Sequence, residues 1–210
     1  MPSSPFTAAP LVFPLASESA TMALGSQLAG VLRLQLRSAA DRSHGLSVHC
    51  SGDLGAGKTT LVRALLRALG VTGRIKSPTF TLVEPYEIAL DDEPNGNTPD
   101  RGDGESVELK RNLSLYCYHF DFYRFTHPRE FLEAGFREYF GNGALCLVEW
   151  PERASEGLPV GAAPLLPPAD LFIRLDTAGE GRRARIEAHT DAGRACLSLL
   201  TASGASAASS

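Results

Sequence analysis

Apolar side chains recur at helical spacing over residues 18–36, where Met22, Leu28, Val31, Leu32 and Leu36 share one side and predict an amphipathic helix. The next apolar run, Leu46-Ser47-Val48-His49-Cys50, alternates as a strand does and stops at Gly52. A helix is predicted over 58–69, with Gly70 placed as its C-cap. Residues 81–86 read as extended, and 115–120 as a strand that ends at Asp121. Pro128 suits the first position of a helix whose apolar face is Phe131, Leu132, Phe136, Tyr139 and Phe140. Residues 144–148 form a continuous apolar strand ending at Glu149; a Pro-rich loop over 151–168 follows. A hairpin is then predicted from 170–176, a Gly-rich turn and 183–189. Strands alternating with helices predict an α/β fold: a three-layer sandwich with a central, mostly parallel sheet and a C-terminal β-hairpin.

The predicted elements fit one domain over 14–200, with disordered tails rich in Pro, Ser and Ala over 1–13 and 201–210. Residues 88–114 have the composition of an exposed acidic insertion, holding seven acids (Asp91, Asp92, Glu93, Asp100, Asp103, Glu105, Glu108) against Arg101, Lys110 and Arg111. The rest of the chain carries 17 basic and 17 acidic residues. No basic face is therefore expected to grip DNA or RNA directly, so any RNA connection would run through partners. No apolar run is long enough to cross a bilayer, and the first basic residue is Arg33, so neither a membrane span nor a secretory signal is expected. Cys50, Cys117, Cys146 and Cys196 are widely spaced among apolar neighbours and read as small buried hydrophobes of a cytoplasmic protein.

Between the second predicted strand and its helix lies Gly52-Asp53-Leu54-Gly55-Ala56-Gly57-Lys58-Thr59, a match to G-x-x-x-x-G-K-[ST] at every fixed position. Glycines let successive N–H groups turn inward around phosphate oxygens, and the helix directs its positive end at the same place. Lys58 would reach the β- and γ-phosphates of ATP and Thr59 would bind Mg²⁺. This is a P-loop of the nucleotide-hydrolase type. Mg²⁺ needs further oxygens, and Asp121 and Glu149 each end an apolar strand on the side where such loops lie. About twenty residues past the loop, Lys76-Ser77-Pro78-Thr79-Phe80-Thr81 offers hydroxyls that could face phosphate or its attacking water, or could form an ordinary turn. No N-K-x-D segment is present, which argues against a GTPase. A small-molecule kinase and a nucleotide-gated assembly module are the rival readings.

Four segments together resemble the TsaE family, bacterial P-loop ATPases of the tRNA threonylcarbamoyladenosine pathway: Gly52-Asp-Leu-Gly-Ala-Gly-Lys-Thr-Thr60, Lys76-Ser-Pro-Thr-Phe-Thr-Leu-Val-Glu84, His119-Phe-Asp-Phe-Tyr-Arg124 and Leu147-Val-Glu-Trp-Pro-Glu152. The resemblance covers roughly 14–190. It implies an ATPase that works with TsaB and TsaD, the latter transferring a threonylcarbamoyl group to adenosine 37 of certain tRNAs, and that keeps the complex turning over. By the same resemblance Leu54, Gly55, Ala56, Gly57, Lys58, Thr59 and Thr60 contact ATP, and Thr59 and Glu149 hold Mg²⁺. Asp121 is the functionally important acid, and Trp150, Glu18 and Arg182 align with nucleotide-contacting positions. Phe122 stands where the family usually has leucine, and the 88–114 insertion is unusually long.

Overall fold

A computed structural model of the chain describes residues 9–38, 45–90, 114–141, 143–159 and 161–202. Seven strands form one sheet in the order β1-β7-β6-β2-β5-β4-β3. They are β1 (Leu11–Leu15), β2 (Leu46–Ser51), β3 (Val83–Ala89), β4 (Ser114–Asp121), β5 (Leu145–Glu149), β6 (Leu171–Ala178) and β7 (Gly181–Ala188). The central strands β6, β2, β5 and β4 run parallel, while β3, β7 and β1 add antiparallel edges. The helices are α1 (Glu18–Ser38), α2 (Lys58–Ala68), α3 (Glu130–Glu133) and α4 (Asp191–Ala202).

Alternation along the strands decides which residues meet which layer. Leu46, Val48 and Cys50 of β2 and Leu171, Ile173 and Leu175 of β6 pack with Leu28 and Leu32 of α1, Leu61 and Leu65 of α2 and Leu197 of α4 in one large core. On the other face Phe120, Cys146 and Val148 pack with Phe122, Phe125, Phe131, Phe136 and Leu166 in a second, mainly aromatic core. Phe122 is fully enclosed there, stacked on Phe125 at 4.6 Å between ring centroids, so the ring in place of the family's leucine fills space rather than intruding on it. The third layer covers β4 and β5. Beyond β2, strands β6 and β7 show Arg174, Asp176, Arg185 and Glu187 on that face, paired as Arg174–Asp176 and Arg185–Glu187.

The helices α1 and α2 start and end as local chemistry dictates. Ser17 Oγ accepts from the Ala20 N–H at 3.2 Å and caps α1. α2 ends in a Schellman turn, with Gly70 N–H donating to Arg67 and Val71 N–H to Leu66. α1 and α2 cross at Gly25, where a Cβ would stand 2.7 Å from the Leu61 carbonyl oxygen and 2.8 Å from Ala64 Cβ. Only a hydrogen at that position lets the two backbones approach.

Four sequence expectations need correction. The tail over 1–13 is too long: Leu11, Val12 and Phe13 belong to β1, whose partners on β7 supply the hydrogen bonds that composition could not reveal. Thr201 and Ala202 extend α4 rather than the C-terminal tail, and α4 itself was not anticipated. The helix begun at Pro128 is one short turn, α3, followed by a separate 3-10 turn, Phe136–Tyr139, because Gly135 adopts φ 69° between them. The acidic insertion starts too early, since Ile88 and Ala89 complete β3, Ile88 and Leu90 are buried, and Ser114 opens β4. Residues 91–113 of that insertion lie outside the described residues.

Candidate functional site

Parallel pairing brings the C-terminal ends of β2, β5 and β4 to one edge of the sheet, and the antiparallel β7 and β1 deliver Arg182 and the start of α1 to the same edge. A cleft of about 310 Å³ opens there. Its walls carry Glu18, Leu54, Gly55, Gly57, Lys58, Thr59, Thr60, Thr79, Asp121, Glu149, Trp150 and Arg182. Of the loop residues singled out in the sequence, Gly52, Asp53 and Ala56 do not line this cleft, and of the 76–81 segment only Thr79 does. Ala56 is buried beneath the loop, and Gly52, at φ 136°, has no room for a Cβ: it would meet the Leu175 carbonyl oxygen at 2.1 Å.

The 52–59 loop hands over to α2 at Gly57, which has a left-handed conformation and no side-chain cap. The first N–H groups of α2 therefore keep no intrachain side-chain acceptor at the cap, which leaves an anion-accepting helix start. Lys58 folds back over its own loop, donating to the Gly52 carbonyl at 2.5 Å and the Asp53 carbonyl at 2.8 Å. Its ammonium also lies 3.6 Å from the centroid of the Trp150 ring. Burial pushes the Lys58 ammonium below the ordinary lysine value, and Glu149, Glu152 and Asp121 oppose that shift.

Trp150 is held in an uncommon backbone state, φ 58° and ψ 48°, immediately before Pro151. Its N–H bonds to the Cys50 carbonyl at 3.1 Å, extending the β2–β5 ladder one step before the chain turns away. In this conformation the indole meets both Lys58 and the Tyr123 ring, whose centroid is 5.0 Å distant. Such left-handed residues cost about 1–3 kcal/mol and persist where surrounding contacts fix them.

Two carboxylates stand side by side at the strand ends, since Asp121 and Glu149 are register partners. Thr59 Oγ1 donates to Glu149 Oε2 at 2.7 Å, and His119 Nε2 lies 2.8 Å from Glu149 Oε1. Thr79 Oγ1 donates to Asp121 Oδ2 at 2.7 Å, and the Tyr123 N–H donates to Asp121 Oδ1 at 3.0 Å. Thr79 has spent its only proton on Asp121, so in its 2.9 Å contact with Ser77 the Ser77 hydroxyl donates. The 77–82 segment is thus both a turn, closed by Leu82 N–H to the Pro78 carbonyl at 2.6 Å, and a wall of the cleft. Across the mouth, Arg182 donates to the Gly55 carbonyl at 3.2 Å.

Among the described residues no three His, Cys, Asp or Glu side chains form a metal-type cluster. The oxygens gathered here are one hydroxyl and two carboxylates, hard donors suited to Mg²⁺, which habitually completes its shell with oxygens from outside the protein. Thr21 and Tyr123 also line the cleft without having been singled out. Thr21 lies one turn after Glu18 on α1, a spacing that could have flagged it; Tyr123 belongs to the segment around Asp121.

A family model described as Threonylcarbamoyl adenosine biosynthesis protein TsaE matches residues 15–95 and 106–185. The chain is 35% identical over 156 residues to the tRNA threonylcarbamoyladenosine biosynthesis protein TsaE of Haemophilus influenzae, covering 74% of this chain and 78% of that one. The TsaE protein of Aquifex aeolicus is 30% identical over 172 residues, covering 80% and 89%. The crystal structure of Bacillus subtilis YdiB superposes with a TM-score of 0.60 at 24% identity, covering 96% of this chain and 99% of that one, and shares the fold.

Proposed function

The chain belongs to the TsaE family of threonylcarbamoyl adenosine biosynthesis proteins, and from that premise we propose that it is a Mg²⁺-dependent ATPase that sustains turnover of a TsaB–TsaD transferase complex on tRNA. The observation that carries the reading is the convergence of Lys58, Thr59, Glu149, Asp121, Trp150 and Arg182 on one cleft beside an uncapped helix start.

Thr59 and Glu149 would hold Mg²⁺, with Asp121 alongside, and the ion would supply neutralisation of phosphate charge. The loop N–H groups and Lys58 bind and orient the triphosphate; Lys58 exchanges its two loop carbonyls for phosphate oxygens, a stronger pairing for an ammonium. The Ser77–Thr79–Asp121 chain directs hydroxyl protons toward Asp121 and leaves a Thr79 lone pair to accept from an attacking water. Trp150 and Arg182 flank the loop and fix the position of the bound nucleotide. Catalysis of this kind rests on positioning and electrostatics.

A site that receives its final catalytic group from a partner would hydrolyse ATP slowly when alone, so slow hydrolysis is expected of the isolated chain. Among the described residues no helix is long and apolar enough to cross a membrane. The test measures ATP hydrolysis and tRNA modification with and without TsaB and TsaD, for wild type and Lys58→Ala. Stimulation by the partners, and loss of repeated modification rounds in the variant, are expected. Robust steady-state hydrolysis by the isolated chain would remove the partner-completion claim. ATP consumption only with a small acceptor would make it a kinase instead.

A further inference from the structure

His119 stands behind Glu149 and takes no part in the reaction as proposed. It lies two residues before Asp121 on β4, so both side chains leave the same face of the sheet. Its register partner on β5 is Leu147, two residues before Glu149. The imidazole is fully enclosed and Glu149 is 1% exposed, with Nε2 and Oε1 2.8 Å apart. The other oxygen of Glu149 faces Thr59.

The second ring nitrogen settles how this contact works. His119 Nδ1 is buried with no hydrogen-bond partner among the described residues. A proton on Nδ1 would be a buried donor without an acceptor, the rarer and costlier kind of orphan. With the proton on Nε2 the ring donates to Glu149 Oε1, and only a lone pair is left unmatched. The imidazole is therefore committed to one task, holding one carboxylate oxygen so that the other stays turned toward Thr59.

We propose that His119 is a positioning residue that presets Glu149 for a divalent cation. The inference rests on the reading of Thr59 and Glu149 as metal ligands. Ligating carboxylates left without such an outer hydrogen bond must be ordered by the cation itself, which weakens its binding; loss of an outer partner typically costs 10–100-fold in metal affinity or activity.

The experiment titrates the full chain with Mn²⁺ in the presence of a non-hydrolysable ATP analogue and follows free Mn²⁺ by electron paramagnetic resonance. Wild type is compared with His119→Leu and His119→Gln, and affinity for the analogue alone is measured in EDTA. His119→Leu is expected to weaken Mn²⁺ binding about tenfold or more while metal-free analogue binding stays unchanged. His119→Gln, whose amide N–H can reach the same oxygen, is expected to recover most of the loss. Unchanged Mn²⁺ affinity in His119→Leu overturns the inference, as does equal loss in both variants, which would mark a packing role. If His119→Leu does not fold, His119→Asn serves against His119→Gln, and equal affinities of those two overturn it. Absence of Mn²⁺ binding by wild type would remove the metal reading of Thr59 and Glu149, and this inference with it.

Discussion

Replacing Gly25 by alanine tests the α1–α2 crossing directly, provided the same change is made at Gly30. Both glycines lie inside α1, so both substitutions gain the same intrinsic helix preference of about 0.8–1.0 kcal/mol. At Gly30 the new methyl meets nothing within 4 Å, and Gly30→Ala is expected to stabilise the fold by about that amount. At Gly25 it would meet the Leu61 carbonyl oxygen at 2.7 Å, Ala64 Cβ at 2.8 Å and the Leu65 nitrogen at 3.1 Å. All three belong to α2 and two are backbone, so no rotamer change relieves them. Ordinary contact begins near 3.4 Å, so the helices must part by about 0.6–0.7 Å. A gap of that order forfeits a quarter to a half of the attraction at each facing contact, and overpacking of this kind costs about 1–3 kcal/mol. The two variants should therefore differ by about 1–3 kcal/mol, with Gly25→Ala the less stable. Urea unfolding followed by far-UV circular dichroism reads this as a shift in midpoint at constant slope. Unfolding free energies that agree within about 0.3 kcal/mol would refute the reasoning, because the crossing would then have yielded without cost.

Acid sensitivity is traceable to His49. Burial, and then His189, lower its pKa to about 4 from an ordinary 6.5, so the unfolded chain binds the extra proton first. Its contribution is complete above 6.5, shrinks as pH falls, and has lost about 3 kcal/mol by pH 4; urea midpoints between pH 7 and 4 should fall less steeply in His49→Gln than in wild type. Burial pushes the Cys146 and Cys196 thiols up to about 12 and raises those of Cys50 and Cys117 well above the ordinary thiol value. The folded protein should accordingly show no fast reaction with a disulfide reagent at pH 8, and four thiols after denaturation; a single rapid native equivalent would contradict this. Asp170 accepts from the Ser47 N–H at 2.7 Å and from the Thr190 hydroxyl, tying the β2–β6 pairing to the start of α4. Asp170→Ala should cost about 2–3 kcal/mol by thermal or urea unfolding, and Asp170→Asn should recover a large part.

The site was the more legible half of this chain. A loop in which Gly52, Lys58 and Thr59 occupy fixed places between a strand and a helix encodes its geometry locally, and apolar strands ending in Asp121 and Glu149 declare which edge of the sheet they reach. Arg182 and Glu18 came only through resemblance, because their approach to the loop depends on antiparallel pairing across the full length of the chain. His119 carried no signal as a site residue: its meaning lies in a 2.8 Å contact between neighbouring strands, and alternation alone would have made it a core side chain. The fold failed to read at its periphery. Leu11–Leu15 contains a proline and sits in a Pro-rich stretch, yet it is an edge strand, where proline is tolerated. The break at Gly135 was hidden because the aromatic spacing on either side of it is helical, and packing into the second core, not helix periodicity, places Phe131 and Phe136.

The position of β1 has a consequence for how this protein is made. Translation releases β1 first, but among the described residues its one neighbour in the sheet is β7, more than 160 residues later. At about 5–20 residues per second, the strand waits on the order of ten to thirty seconds before its partner leaves the ribosome. During that interval Phe13 and Leu15, buried in the finished core, are solvent-facing on a nascent segment with an unpaired edge. The nucleotide loop is in the same position, since β2 gains β5 and β6 only in the last third of synthesis. A chaperone-depleted translation system should therefore lose this protein to aggregation before synthesis reaches β7, and rescue should require emergence of the final hairpin rather than of the loop.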